Sequence, residues 1–99
     1  MNYEIKNGEM RVILDKELDH HNASLIKDEI DDMVLKGKVR DIIFDFEKTS
    51  FMDSSGIGII MGRYKLLKTL DGKVYVTNIS GNIERIFVIS GLYKIIERK

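Results

Sequence analysis

The chain has 99 residues, 43% hydrophobic and 32% charged, which suits one soluble globular domain able to bury a core unaided. Lys+Arg and Asp+Glu both total 16, so no net field draws nucleic acid or an anionic membrane, and no apolar run approaches the ~20 residues of a spanning helix. Cysteine is absent, which removes disulfides, thiolate metal sites and cysteine catalysis. The start Met1-Asn2-Tyr3-Glu4 has no signal-peptide pattern, and a cytoplasmic location is expected. Proline is also absent, so turns must rest on Gly, Asn, Asp and Ser.

Residues 3–6 and 10–14 read as short strands around Asn7-Gly8-Glu9, a hairpin turn. Asn22 or His21 then caps a helix whose apolar positions Ala23, Ile26, Ile30, Met33 and Val34 form one face. Gly37 ends it. In the next strand, Ile42–Phe46, the unbroken run Ile42-Ile43-Phe44 suits a strand covered on both faces.

A second helix runs from about Ser55 to Leu70, with Ile57, Ile60, Met61, Tyr64, Leu67 and Leu70 inward. Arg63, Lys65 and Lys68 take its solvated flank. Gly56, Gly58 and Gly62 each cost about 1 kcal/mol against Ala in a helix, so their spacing implies close packing on one side. Asp71-Gly72 turns the chain into a strand over Lys73–Asn78. Ser80 starts a third helix with Ile83, Ile86, Phe87 and Ile89 inward, stopped by Gly91, and Leu92–Ile96 reads as a last edge strand. The order ββαβαβαβ predicts an α/β domain over residues 1–99, with a mixed, mostly parallel sheet of roughly four to five strands and helices packed against it.

Chemistry concentrates where the central strand gives way to the second helix, in Ser50-Phe51-Met52-Asp53-Ser54-Ser55-Gly56-Ile57-Gly58. A helix start carries unpaired N–H groups and partial positive charge. A serine there can cap the helix, carry phosphate or act as a nucleophile. The hydrolase elbow G-x-S-x-G is missing, since Met52 and Asp53 stand two residues before Ser54 and Ser55. A small hydrolase or transferase using Ser54 with His20 or His21 remains the rival reading, and a phosphocarrier using a histidine is a third. No Lys follows the glycines as a phosphate-binding loop requires. His20 and His21 are adjacent, and no third ligand lies at metal-binding spacing. Neither metal nor cofactor is expected.

Three segments together resemble the anti-sigma-factor antagonists, the STAS-domain family. They are Glu17-Leu18-Asp19-His20-His21, the stretch 50–58 with Gly62-Arg63-Tyr64-Lys65, and Ser90-Gly91-Leu92-Tyr93-Lys94-Ile95-Ile96. The resemblance runs over nearly the whole chain. It implies a small α/β regulator without catalysis that binds an anti-sigma factor serine kinase, with its bound nucleotide, and releases the sigma factor, as in the control of sporulation transcription. The kinase then phosphorylates the serine after the motif aspartate, here Ser54, and a serine phosphatase reverses the step. By the same resemblance Asp53 precedes the acceptor, Ser55, Gly56 and Gly58 follow it, and Asp19, His20 and His21 lie on the loop beside it. The protein is expected to be a monomer, with neither nucleic acid nor membrane as partner. The family usually continues into an amphipathic C-terminal helix, which is expected to be absent from this chain ending at Lys99.

Overall fold

Asn7 and Gly8 take positive φ values of 53° and 79°, as a type I′ turn requires and as Asn and Gly tolerate best. In the computed structural model, which describes residues 2–99, this turn folds β1 (Asn2–Lys6) antiparallel onto β2 (Glu9–Ile13). The chain then runs through β3 (Glu17–Leu18), α1 (His20–Leu35), β4 (Asp41–Asp45), β5 (Phe51–Met52), α2 (Ser54–Thr69), β6 (Val74–Thr77), α3 (Gly81–Ser90) and β7 (Glu97–Arg98). One sheet has the order β1-β2-β4-β6-β7, parallel beyond the hairpin, and β3 and β5 form a separate parallel pair. The expected α/β class and mixed, mostly parallel sheet are therefore present. The small β3–β5 pair is an addition that the sequence reading lacked.

Alternation sets the layers. Met10, Val12, Ile42, Phe44, Val74 and Val76 lie in one core with Ile26, Ile30, Ile60, Leu67, Ile83 and Phe87 from the helices. Ile43 belongs to the opposite sheet face, yet is only 4% exposed. Its ladder neighbours Arg11 and Tyr75 flank it on either side. The unbroken run Ile42-Ile43-Phe44 is thus buried on both sheet faces, as expected, with Arg11 and Tyr75 beside Ile43 in the ladder.

The inward face of α2 is also rotated from the expected one. Gly56, Ile59, Ile60, Arg63 and Leu67 are buried, Ile57, Met61 and Tyr64 are half-buried, and Leu70 is exposed. Arg63, placed on the solvated flank by its charge, is 5% exposed. Its Nε lies 2.9 Å from Asp31 Oδ1 on α1, but the N–H does not point along a hydrogen bond to that oxygen, so the contact is chiefly coulombic. Lys27 Nζ, 3.8 Å from Asp31 Oδ2, adds a weaker charge contact. One ion pair thereby joins the two helices.

After α3, Gly91 turns left-handed (φ 76°) and Leu92–Lys94 forms a 3-10 turn closed by Ile95 and Ile96 N–H groups on the Leu92 carbonyl. The Leu92–Ile96 strand is therefore absent, and β7 starts at Glu97. The turn brings the Tyr93 ring to 5.2 Å from Phe87 and its hydroxyl onto the Glu84 carboxylate. Burial, with that carboxylate beside it, pushes the phenol up to about 12. Ile89, expected inward, is 77% exposed.

Candidate functional site

The β3–β5 pair builds the site. Glu17 lies opposite Phe51 and Leu18 opposite Met52, and each strand is followed by an aspartate that caps a helix. Asp19 Oδ1 accepts the Asn22 N–H at 3.0 Å, while Asp53 Oδ1 accepts those of Ser55 and Gly56 at 2.8 and 3.4 Å. Both caps are extended, with φ of −108° and −104°, and their negative charges complement the helix starts. Asp19 is thus the α1 cap in place of His21 or Asn22. Asn22 instead donates its side-chain amide to the Glu17 carbonyl at 2.9 Å.

Ser54 is the first residue of α2, is exposed, and has no hydrogen-bond partner for its hydroxyl among the described residues. Ser55 is half-buried, and its Oγ lies 3.4 Å from His20 Nδ1 across the junction. Asp19, His20, Asp53, Ser54 and Ser55 therefore meet at two adjacent helix starts, and His21 follows on the exposed side of α1. His20 reaches Ser55 and makes no hydrogen bond to Ser54 or to a carboxylate. The acid–His–Ser54 relay of a hydrolase does not form. No group of three or more His, Cys, Asp or Glu suited to a metal occurs among the described residues.

Gly56 is buried in the seam. A Cβ there would run into the Met52 side chain and lie 3.0 Å from both Leu18 Cγ and the Leu18 carbonyl oxygen. Gly58 and Gly62 have nothing within 4 Å of such an atom. Of the three helix glycines, only Gly56 is demanded by close approach.

Behind the site, the loop into β5 is anchored by backbone and side chain. Thr49 Oγ1 donates to the Asp15 carbonyl at 2.7 Å, and the Ser50 N–H to the Lys16 carbonyl at 2.9 Å. Asp45 ends β4 and is 4% exposed. Its carboxylate accepts from Arg11 at 2.8 and 3.2 Å, from the Glu47 N–H at 2.9 Å and from Asn78 Nδ2 at 3.0 Å. Burial pushes this carboxyl up, but the hydrogen bonds from Asn78, Glu47 and Arg11 outweigh it and hold Asp45 below the usual aspartate value. The sequence reading missed this bracket and the β3–β5 pair. A signal for the pair was present in the repeated pattern of apolar residue then aspartate, Leu18-Asp19 and Met52-Asp53, each leading into a helix.

The chain matches the STAS domain over residues 1–99. An anti-sigma F factor antagonist of Paenibacillus polymyxa is 35% identical over 88 residues, 89% of this chain and 75% of that protein. An anti-sigma-B factor antagonist of Staphylococcus aureus is 34% identical over 90 residues, 91% of this chain and 76% of that protein. The solved structure of the Bacillus cell fate determinant SpoIIAA in the phosphorylated form superposes with a TM-score of 0.82 at 33% identity, covering 99% of this chain and 89% of that one.

Proposed function

This chain belongs to the STAS-domain family as an anti-sigma factor antagonist of the sigma F or sigma B type, a non-enzymatic regulator, and from that premise we propose a sigma F-type phospho-switch acting in sporulation. The antagonist binds the anti-sigma factor, a serine kinase holding nucleotide, and frees the sigma factor. The kinase transfers the γ-phosphoryl group of ATP to Ser54 Oγ, with ADP leaving and the hydroxyl proton lost, and the phosphorylated form no longer competes. A serine phosphatase resets it. Asp19, His20, His21, Asp53, Ser55, Gly56 and Gly58 form the surround. The proposal further takes residues 1–99 as one STAS-like domain, monomeric and cytoplasmic.

One observation carries this reading. Asp53 caps α2, so the exposed Ser54 hydroxyl is not needed to hold the helix and is open to a partner's active site. Because Asp53 already takes the Ser55 and Gly56 N–H groups, a phosphate on Ser54 adds charge without supplying a missing cap. It brings about −1.5 to −2 charge to the contact surface. A hundredfold loss of affinity needs only about 2.8 kcal/mol, and desolvating a dianion at an interface can supply that without refolding. The double-histidine segment at 19–21 and the motif at 50–58 support the sigma F type.

The test is incubation with a sporulation anti-sigma kinase and ATP, phosphate mapping by mass spectrometry, and measurement of kinase binding before and after. Phosphate at Ser54 with weakened binding is expected. Phosphate elsewhere, or equal affinity of both forms, rejects the switch.

A further inference from the structure

A phosphate on Ser54 meets a poor electrostatic setting. The carboxylates of Asp53 and Asp19 stand at the two neighbouring helix starts, and Glu17 lies on the strand leading into one of them. Asp53 also holds the nearest backbone donors. These like charges oppose the favourable helix-start field, so a cation at the junction would stabilise the dianion. The titratable candidates at the junction are His20 and His21. His21 is exposed on α1 and makes no hydrogen bond among the described residues, whereas His20 reaches across to α2 and places Nδ1 3.4 Å from Ser55 Oγ, one residue from the acceptor.

We propose that His20 is the internal charge partner of the phosphorylated antagonist, its imidazole pairing with the phosphate on Ser54. The proposal rests on Ser54 being the acceptor. The Ser55 contact places the ring against α2 one residue from the acceptor, and pairing would shift it from Ser55 to the phosphate on Ser54. Histidine changes charge between pH 5 and 8, and a serine phosphate loses its second proton near pH 6. The contact is therefore strongest where the imidazolium and dianion coexist, in a window of roughly pH 6 to 7. The charged groups facing this junction are Asp19, Asp53, Glu17 and His21.

To separate this pairing from acceptance of Ser54 by a kinase, phosphoserine is incorporated at position 54 during synthesis. The phosphate is then titrated by phosphorus NMR in the otherwise unaltered chain, in His20→Gln and in His21→Gln. A unit positive charge roughly 5 Å away in water lowers the second ionisation by about half a pH unit. The midpoint should therefore lie about that far lower in the unaltered chain and in His21→Gln than in His20→Gln. Equal midpoints in the unaltered chain and His20→Gln overturn the pairing, as does an equal rise in His21→Gln. If His20→Gln does not fold, the two histidines of the unmutated chain are compared on phosphorylation. Ring resonances of His20 should move more than those of His21, and an unmoved His20 overturns the proposal. A kinase that ignores Ser54 retires the proposed switch while leaving this measurement intact.

Discussion

At the residue scale, neighbouring positions at the start of α2 divide the labour. Asp53 caps, Ser54 faces outward, Ser55 touches His20, and Gly56 lets the helix sit against Leu18. Successive side chains at a helix start point about a hundred degrees apart, so a kinase that aligns one hydroxyl with a γ-phosphate cannot present both alike. Ser54→Ala should resist phosphorylation yet still bind the kinase, whereas Ser55→Ala should still accept phosphate. Because Asp53 provides the cap, Ser55→Ala should also cost less than the ~1 kcal/mol of a lost cap. Phosphate mapping and urea melts of both variants check this. For Gly56→Val, overpacking against a backbone carbonyl that cannot turn aside predicts a loss of about 1–3 kcal/mol. A thermal midpoint equal to the parent's would show that the seam relaxes.

At the scale of elements, the site depends on two helices held in parallel. The β3–β5 pair sets their starts side by side, and Arg63–Asp31 joins them further along. Removing one partner of a buried pair leaves an uncompensated charge, costing about 3–5 kcal/mol when burial is complete. Asp31 keeps 22% of its side-chain exposure, so Arg63→Ala should cost less, about 2–4 kcal/mol. The exposed Lys68→Ala should stay within about 0.5 kcal/mol. Urea melts decide between them, and equal small effects would mean that the α1–α2 ion pair contributes nothing. Helical spacing marked the α1 face well, because Ala23, Ile26, Ile30 and Val34 carry no competing signal. It misread α2, where burial passes through Gly56 and Arg63, residues whose type argues against burial.

At the scale of the molecule, Asp45 ties together β2, β4 and the loops after β4 and β6, which makes stability depend on pH. Its folded-state value lies below the ordinary 3.8. The folded state thus binds this proton less readily than the unfolded state, and the contribution is complete above the unfolded value. It is lost as pH falls through the folded one. Between pH 7 and pH 3 the chain should lose more stability than Asp45→Asn, which has no charge to neutralise. Equal losses in parallel urea melts would show that Asp45 is not a source of acid sensitivity.

Some features were settled by local rules acting within a few residues. The Asn7-Gly8 hairpin, the glycine stops after α1 and α3, the α/β order and the placing of Asp53-Ser54 between strand and helix all belong there, because turn geometry and helical period need no distant partner. Contacts across sequence gaps settled the rest. Asp19 and Asp53 are both capping types, but only the pairing of β3 with β5, 34 positions apart, sets them side by side and brings His20 to Ser55. The burial of Arg63 depends on Asp31 across the helix interface, and that of Ile43 on Arg11 and Tyr75 from adjacent strands. Charge and hydropathy along one chain assign a residue its average environment, and the tertiary fold supplies the particular neighbour that makes another environment stable.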